Sequence, residues 1–466
     1  MQVISKNQFL IKRSELTTEK LFVEFYLPEY QNVLTRLRQS PYPLESLRQL
    51  CTRMFDGPFG SNRKVDMYQD EGIPYIRVKD VLPGEIAKAD LTFISQDKHQ
   101  ELNRSRVVPG NVLLTIAGRV GTAAVFPADL AEGNITGHIA GIELPERTNP
   151  EYFALFLNSR FGQFQLARLA HRTTRPELNL KEVGQVLVTL PPRSIQDRIA
   201  QIMQDAYAAR RSKLAEAQTL LINIDQYVFK NLGISPESVP EETRFVKNAS
   251  EIRNGRFDVE FNMGFHKFDP YMNQVQPLQK VVEFLVETKN PTLTPEQEFY
   301  YIDIATVDPL SGEITEPPKI LGQDAPSRAR QVIHAEDIIM STVRPTRGAT
   351  AIVPKNMDGY ICSTGFVVVR AQRDILPEYL HIALRLSTTR EQLGRRSSGS
   401  SYPAVLTKDI KEVLIPVPDK GAQKTVVDAV NERRTKASLL KVEAENIITK
   451  AKQQVERMIL GEDVDP

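Results

Sequence analysis

The sequence predicts an α+β chain of two similar domains, each followed by a long helix, with the two helices pairing as an antiparallel coiled coil. Three observations carry this: a near-constant internal repeat, short strand-like runs ahead of a helical stretch in each repeat, and two long segments that neither proline nor glycine interrupts.

The repeat is the most informative of the three. Pro150-Glu151-Tyr152 recurs as Pro377-Glu378-Tyr379, an offset of 227. At that offset Phe126-Pro127 meets Val353-Pro354, Gly121 meets Gly348, Gln196 meets Gln423, and Val186-Leu187-Val188 meets Val413-Leu414-Ile415. Upstream the offset is 226, where Tyr75-Ile76 meets Tyr301-Ile302 and Asn111-Val112-Leu113-Leu114 meets Asp337-Ile338-Ile339-Met340. Val23-Glu24-Phe25 matches Val259-Glu260-Phe261 at 236. An offset held over roughly 120 residues indicates duplication, and so long a period means two whole domains rather than a solenoid.

Inside each repeat the element order is the same. Strand-like runs bounded by turn residues come first, as in Gly110 to Ile116 and Gly365 to Val369. A helical stretch follows from Pro150 to Leu169, copied from Pro377 to Leu393. One more strand ends in prolines, Leu190-Pro191-Pro192 and Ile415-Pro416-Val417-Pro418, which cannot continue a central strand. The expected boundaries are therefore a first domain over 1–192, a helix over 193–235, a second domain over 236–418 and a second helix over 419–466.

The first long helix starts with Ser194 as N-cap and meets no proline or glycine before Gly233. The second runs from about Gly421 to Leu460 and stops at Gly461. Ser194 to Lys230 would measure roughly 55 Å at 1.5 Å per residue. Alternating three- and four-residue steps place Ile199, Met203, Leu220 and Ile224 on one stripe, and Val426, Val430, Leu440 and Ile447 on the other. Arg210, Lys213 and Arg433 interrupt these seams. A dimerisation zipper or a domain's own surface helix is the plain alternative. Mutual pairing is better supported, because each helix alone leaves an apolar stripe wet. If a pseudo-two-fold axis relates the copies, the pair is antiparallel and forms a rigid spacer.

Composition sets the remaining bounds. At 466 residues the chain exceeds one ordinary core, and 41% hydrophobic with 25% charged residues describes a soluble globular protein. No apolar run reaches membrane-spanning length, and the first twenty residues lack a secretory pattern. Cys51 and Cys362 form no framework, so a cytoplasmic location is expected. The net charge of +1 says nothing against nucleic acid, because a DNA reader needs a basic face rather than a basic total.

Catalytic signatures are missing. There is no P-loop or dinucleotide fingerprint, and Gly118-Arg119-Val120-Gly121 is too short to be one. The six histidines sit singly, without metal-ligand spacing. Asp269-Pro270-Tyr271 lacks the second proline of an adenine methyltransferase motif and reads as a turn. The chain is expected to be non-catalytic, with no cofactor or metal of its own. A methyltransferase or nuclease with an unrecognised site, or a coiled-coil scaffold without a DNA role, are the competing readings.

Donor-rich loops are the DNA-binding candidates. His171-Arg172-Thr173-Thr174-Arg175 mixes guanidinium and hydroxyl donors suited to phosphates and base edges. Its counterpart is Arg395-Arg396-Ser397-Ser398-Gly399-Ser400-Ser401-Tyr402, ahead of the last strand of its own repeat. Ser61, Asn62, Arg63, Lys64, Arg77 and Lys79 add further positions. Arg119, in a hairpin-like turn, corresponds to Arg344 and Arg347 in the second copy. For any single residue, a solvated loop or surface salt bridge is the alternative.

Taken together, these segments resemble the specificity subunit of a type I restriction–modification system. The resemblance lies in Phe59-Gly60, Gly72 to Asp80, Pro109-Gly110-Asn111-Val112-Leu113-Leu114, and Leu187-Val188-Thr189-Leu190-Pro191-Pro192 with Gln196 and Ile199. The family pattern at the last boundary is proline followed by Glu-Gln, of which Ile195-Gln196 and Ala422-Gln423 keep only the Gln. Phe299 to Asp303 is a looser copy of the first repeat's start. The resemblance implies two target recognition domains, each reading half of a split double-stranded DNA sequence, and a coiled coil that sets the gap between half-sites. A ~55 Å spacer matches about one and a half turns of B-DNA at roughly 34 Å per turn. It also implies modification (methyltransferase) and restriction (translocase/nuclease) subunits as partners, with S-adenosylmethionine, ATP and magnesium bound on those subunits, and no membrane.

Overall fold

A computed structural model of the chain describes residues 2–5, 8–10, 26–58, 68–170, 176–234, 274–399 and 401–462. It divides into two compact units, Met1–Ser212 with Glu443–Pro466, and Lys213–Val442. Each unit holds one sheet-rich domain and a share of both long helices.

In unit 1 the larger sheets are built from β1 (Arg53–Asp56), β2 (Ile73–Ile76), β3 (Thr92–Ile94), β4 (Arg106–Val107), β5 (Val112–Thr115), β6 (Ala123–Val125), β7 (Gly133–Ile135) and β8 (Ile139–Glu143), beside short two-stranded pairings such as Leu44–Ser46 with Leu187–Thr189. Strands β1 to β8 form two four-stranded sheets, β6-β5-β8-β1 and β3-β2-β7-β4. Strand β5 shows how the sequence positions them. Val112 and Leu114 point to one face and pack with helical residues such as Tyr152, Phe153 and Phe156. Leu113 points to the other and packs with Ile76, Val107 and Ile135 of the second sheet. The two-residue side-chain period of a strand, apolar on both faces, makes β5 the buried centre of the domain.

Unit 2 repeats this architecture strand for strand. Its elements are β9 (Val282–Leu285), β10 (Glu298–Ile302), β11 (Lys319–Leu321), β12 (Ala329–Val332), β13 (Ile338–Ser341), β14 (Thr350–Ile352), β15 (Ile361–Ser363) and β16 (Phe366–Ala371). The sheet orders are β14-β13-β16-β9 and β11-β10-β15-β12, the unit 1 orders with eight added to each label. Even the one parallel pair among the described residues of each unit recurs, β2 with β7 in one and β10 with β15 in the other. On β13, Ile338 and Met340 face the helical layer while Ile339 faces the second sheet.

Helices α1 (Pro28–Gln39), α2 (Pro150–Asn158) and α3 (Arg160–Leu169) belong to unit 1. The long helix α4 (Arg193–Ile222) is followed by α5 (Ile224–Leu232); α6 (Pro377–Arg385), α7 (Ser387–Arg396) and α8 (Lys420–Leu460) come later. Buried polar groups repeat with the fold. The Tyr152 hydroxyl donates to the Thr189 carbonyl at 2.7 Å, and that of Tyr379 donates to the Pro416 carbonyl at 3.0 Å. Gln165 exchanges two hydrogen bonds with the Leu187 backbone, and Gln392 does so with Leu414.

Several expectations change in detail. The single helical stretch after each proline-led start is two helices, broken at Ser159 and at Leu386, both extended. In unit 1 the break is held by Asn158, whose side chain bonds the Ala123 backbone at 3.0 and 2.7 Å. Ser194 is not an N-cap; the helix begins at Arg193, and the Ile195 and Gln196 amides donate to the Pro192 carbonyl. The first long helix is interrupted at Asn223 (φ −82°, ψ 4°), although neither proline nor glycine is there. Both helical runs end alike. Gly233 (φ 63°) and Gly461 (φ 78°) take the left-handed conformation, and the paired bonds Gly233 to Lys230 with Ile234 to Phe229, and Gly461 to Met458 with Glu462 to Arg457, close the Schellman motif.

The expected seam residues Ile199, Met203, Val426, Val430 and Leu440 are buried, whereas Leu220, Ile224 and Ile447 are only partly so. Toward the end of α8 the buried positions are Ala444, Ile448, Ala451, Val455 and Met458. Two consecutive four-residue steps move burial from Ile447 to Ile448, which a strict seven-residue repeat does not anticipate. No described helix is long and apolar enough to cross a membrane.

Candidate nucleic-acid interface

The described candidates fall in turns where chain leaves the sheets and at the end of helix α7 with the loop after it. In unit 1 the hairpin between β5 and β6 turns through Gly118 (φ 78°) and Gly121 (φ 96°), conformations that favour glycine. Arg119 at its tip donates to the carbonyl of Val78 at 3.2 Å and to that of Val81. Those carbonyls belong to the turn after β2, which Arg77 organises. Its backbone N–H and Nε donate to Asp80 at 2.9 and 3.1 Å, and its Nη2 reaches the Asp90 carbonyl at 2.7 Å. The Asp80 carboxylate that anchors this turn is buried. Arg77 and Arg119 thus brace one loop cluster, and Lys79 stands exposed between them.

In unit 2 the equivalent hairpin, between β13 and β14, meets the loop after α7. Arg344 has φ 48°, a left-handed conformation that costs a non-glycine residue roughly 1–2 kcal/mol. Its surroundings hold it there. Its amide donates to the Pro403 carbonyl at 2.7 Å, its Nη2 donates to the Ser401 carbonyl at 2.8 Å, and its guanidinium lies 4.5 Å from the centre of the Tyr402 ring. Ser398 and Ala404 exchange backbone bonds of 2.9 Å that close the loop. Tyr402 is 71% exposed, and Arg347 and Ser401 also face solvent. Arg344, Arg347, Ser401 and Tyr402 therefore form one surface from two segments far apart in sequence.

Arg395 and Arg396, expected in a donor-rich polar loop, lie instead in the last turn of α7. Arg395 donates to Glu391 one turn back at 2.6 Å. Arg396 is buried, with its guanidinium on the Gln392 and Glu412 carbonyls at 3.2 and 3.3 Å. It serves the end of α7, since a cation in the last helical turn satisfies terminal carbonyls. Ser61, Asn62, Arg63, Lys64, His171, Arg172, Thr173, Thr174, Arg175 and Ser400 lie outside the described residues. The sequence pointed to each loop singly; it held no signal that Pro403 and Ala404 would latch the Arg344 turn.

Among the described residues no group of three His, Cys, Asp or Glu side chains could hold a metal ion. The histidines have other partners. Buried His99 bonds Asn134, and half-buried His334 lies between Glu287 and Asp358, where the hydrogen bond to Glu287 first, then that to Asp358, raises its pKa.

The sequence profile of the family described as type I restriction modification DNA specificity domain matches residues 58–219 and 288–444. The chain belongs to that family. Both matched stretches carry all of the two four-stranded sheets but the first strand, together with the start of a long helix. The specificity subunit of the type I restriction enzyme EcoBI of Escherichia coli is 28% identical over 204 residues, 43% of this chain and 39% of that one. The HindI specificity subunit of Haemophilus influenzae is 28% identical over 120 residues, 25% of this chain and 26% of its own. The matched stretches thus span about a quarter and two fifths of those relatives' lengths. The putative MjaX specificity subunit of Methanocaldococcus jannaschii aligns over 402 residues at 22% identity, 84% of this chain and 86% of that one. A solved chain from work on complex assembly and conformational transition of the type I R-M system shares the fold, with a TM-score of 0.57 at 17% identity over 91% of this chain and 99% of that one.

Proposed function

We propose that this chain is the sequence-specific DNA-binding specificity subunit of a type I restriction–modification complex, reading one half of a bipartite target with each unit. The observation that carries the proposal is the duplicated domain, which presents a braced, cation-bearing hairpin at the same place twice, at Arg119 and at Arg344. Two such readers suit a split site, and bidentate guanidinium contacts suit guanine edges and phosphates.

The long helices act as an antiparallel coiled-coil spacer in this reading. Two ion pairs, each within its own unit, support it: Arg210 with Glu445 in unit 1 at 2.9 Å, and Glu216 with Lys436 in unit 2 at 3.2 Å. As numbering rises along α4, the partner on α8 falls. Ala217 packing with Ala437 and Leu440 supplies an apolar contact of the same sense.

The chain itself is non-catalytic and works in the cytoplasm. Modification subunits binding S-adenosylmethionine methylate adenine where it positions them, and restriction subunits use ATP and magnesium. Two assays test this. The purified chain alone transfers no methyl group to DNA and cuts none. With modification subunits and S-adenosylmethionine, it directs adenine methylation to one interrupted sequence. Methylation or cleavage by the chain alone sinks the proposal.

A further inference from the structure

A cavity of about 540 Å³ in unit 2, bordered by Gly348 at the end of the Arg344 hairpin turn, has an unusual charge balance. Arg385, Arg390, Arg434 and Lys441 line it, and Asp225 is the one acidic residue among its lining. Asp225 is already engaged, accepting the Ser387 amide at 2.7 Å. Arg385 donates to carbonyls, those of Gly348, Thr350, Pro309 and Leu310 at 2.8 to 3.2 Å, while Asp308 and Asp225 act on it through their charges. The Nε of Arg390 is buried without a hydrogen-bond partner. The remaining wall is mostly apolar, with Leu214, Leu221, Ile222, Ile224, Leu310 and Ile382 beside Gln218.

Crowding of like charge is felt by neighbouring groups. Burial, then Arg434 and Arg390, pull the Arg385 pKa down to about 10. Burial, then Arg434 and Arg385, pull that of adjacent His381 down to about 3.

Unit 1 supplies an internal control. It has a smaller cavity, about 200 Å³, at the matching place. At the offset of 227, Asn158 stands for Arg385, Gln163 for Arg390 and Tyr207 for Arg434. Asn158 and Gln163 there spend their amides on backbone carbonyls, Ala123 for one and Gly121 with Leu157 for the other. At these three positions the same fold is therefore completed with neutral residues, the charges lining the unit 1 cavity being the balanced Lys452 and Glu456, and the arginines of unit 2 exceed what the architecture requires.

We propose that the unit 2 cavity is a binding site for a small phosphomonoester with an apolar body. Its size falls within the range of small-molecule sites. Guanidinium groups match phosphate oxygens bidentately, and a phosphomonoester brings about −1.5 to −2 charges at pH 7, closer to the local surplus than one carboxylate. The apolar wall takes the organic body.

The test titrates the full chain calorimetrically with adenosine 5′-monophosphate, adenosine and inorganic phosphate. The monophosphate binds saturably, inorganic phosphate binds more weakly by about tenfold, and adenosine does not bind. The double variant Arg390→Gln with Arg434→Tyr installs the unit 1 residues and leaves Arg385 in place. It lowers monophosphate affinity by about tenfold or more at unchanged circular dichroism and melting temperature. If that variant misfolds, phenylglyoxal labelling of the natural chain decides, with Arg390 and Arg434 protected by the monophosphate. Absence of saturable monophosphate binding, affinity unchanged in the folded variant, or labelling unaffected by the ligand each overturns the proposal. So does a variant that loses duplex DNA affinity while the natural chain binds no monophosphate, which assigns these arginines to the DNA backbone.

Discussion

Gln423 accepts the Leu376 amide at 2.8 Å and returns its two amide hydrogens to the Pro418 and Asp374 carbonyls, each at 2.9 Å. In the other copy Gln196 accepts the Asn149 amide at 2.8 Å and donates to the Pro191 and Arg147 carbonyls at 2.8 and 3.2 Å. Both glutamines are buried, and each ties the first turn of a long helix to the loop ahead of the domain's proline-led helix. Replacing Gln423 with Ala strands one donor and two acceptors, so a loss of about 2–4 kcal/mol is expected from the desolvation cost of unpaired buried groups. Urea unfolding measures it. The Leu376 amide also exchanges faster. A cost under about 0.5 kcal/mol, within the range of an ordinary surface substitution, is incompatible with this role.

The same pair shows what a sequence does and does not reveal. Gln196 and Gln423 are visible as a repeat match, and each serves three backbone groups that only a side-chain amide of that length serves together. Strands such as β5 and β13 were legible because their apolar runs are bounded by turns and repeat at a fixed offset. Departures came from tertiary contacts. Asn158 closing on Ala123, Arg396 turning onto the Glu412 carbonyl, and the latching of Arg344 by Pro403 all join residues whose separation along the chain hides them. The cluster of Arg385, Arg390 and Arg434 is hidden for the same reason, since it needs α6, α7 and α8 to converge.

The Arg344 surface yields a binding prediction. Arg344→Ala in the full complex lowers affinity for the cognate duplex by about tenfold, the size of one bidentate contact. A phosphate contact also reduces the slope of log affinity against log salt by about one, whereas a base contact relaxes specificity at one position of one half-site. Tyr402→Phe keeps the ring under the guanidinium and retains affinity, while Tyr402→Ala does not. Fluorescence anisotropy at two salt concentrations, with half-site variants of the duplex, separates these outcomes. Equal binding by Arg344→Ala and the natural chain removes this surface from the interface.

His381 sets an acid limit. It is buried beside Arg434 and Arg385, its Nε2–H faces the Thr350 carbonyl at 3.2 Å, and its pKa lies near 3 against a usual 6.5. The folded state keeps the ring neutral, while the unfolded chain protonates it below about pH 6.5, so the unfolded state binds the extra proton between the two values. Stability from this residue is complete above pH 6.5 and is lost as pH falls toward 3, with a slope of up to about 1.4 kcal/mol per pH unit. Unfolding free energies of the natural chain and His381→Gln, measured from pH 7 to pH 4.5, converge as the pH drops. Parallel curves contradict a neutral buried imidazole.

The spacer reading carries the widest consequence. A heptad inserted into α4 after Ser212 and another into α8 after Val442 keeps each seam in phase and adds roughly 10.5 Å to the pair. At about 3.4 Å per base pair that is three base pairs of duplex. Inserting both heptads is necessary, because lengthening one helix alone shifts Arg210 off Glu445 or Glu216 off Lys436 and exposes apolar seam residues. Adenine methylation mapped across a genome in cells carrying the lengthened chain and its modification subunits is expected to show the same two half-sites with a gap longer by about three base pairs. On the proposed reading the half-sites stay because the loops that would read them are untouched, and the gap moves because the helices would set it. An unchanged gap, or altered half-sites, means that the distance between the readers is set by something other than these helices.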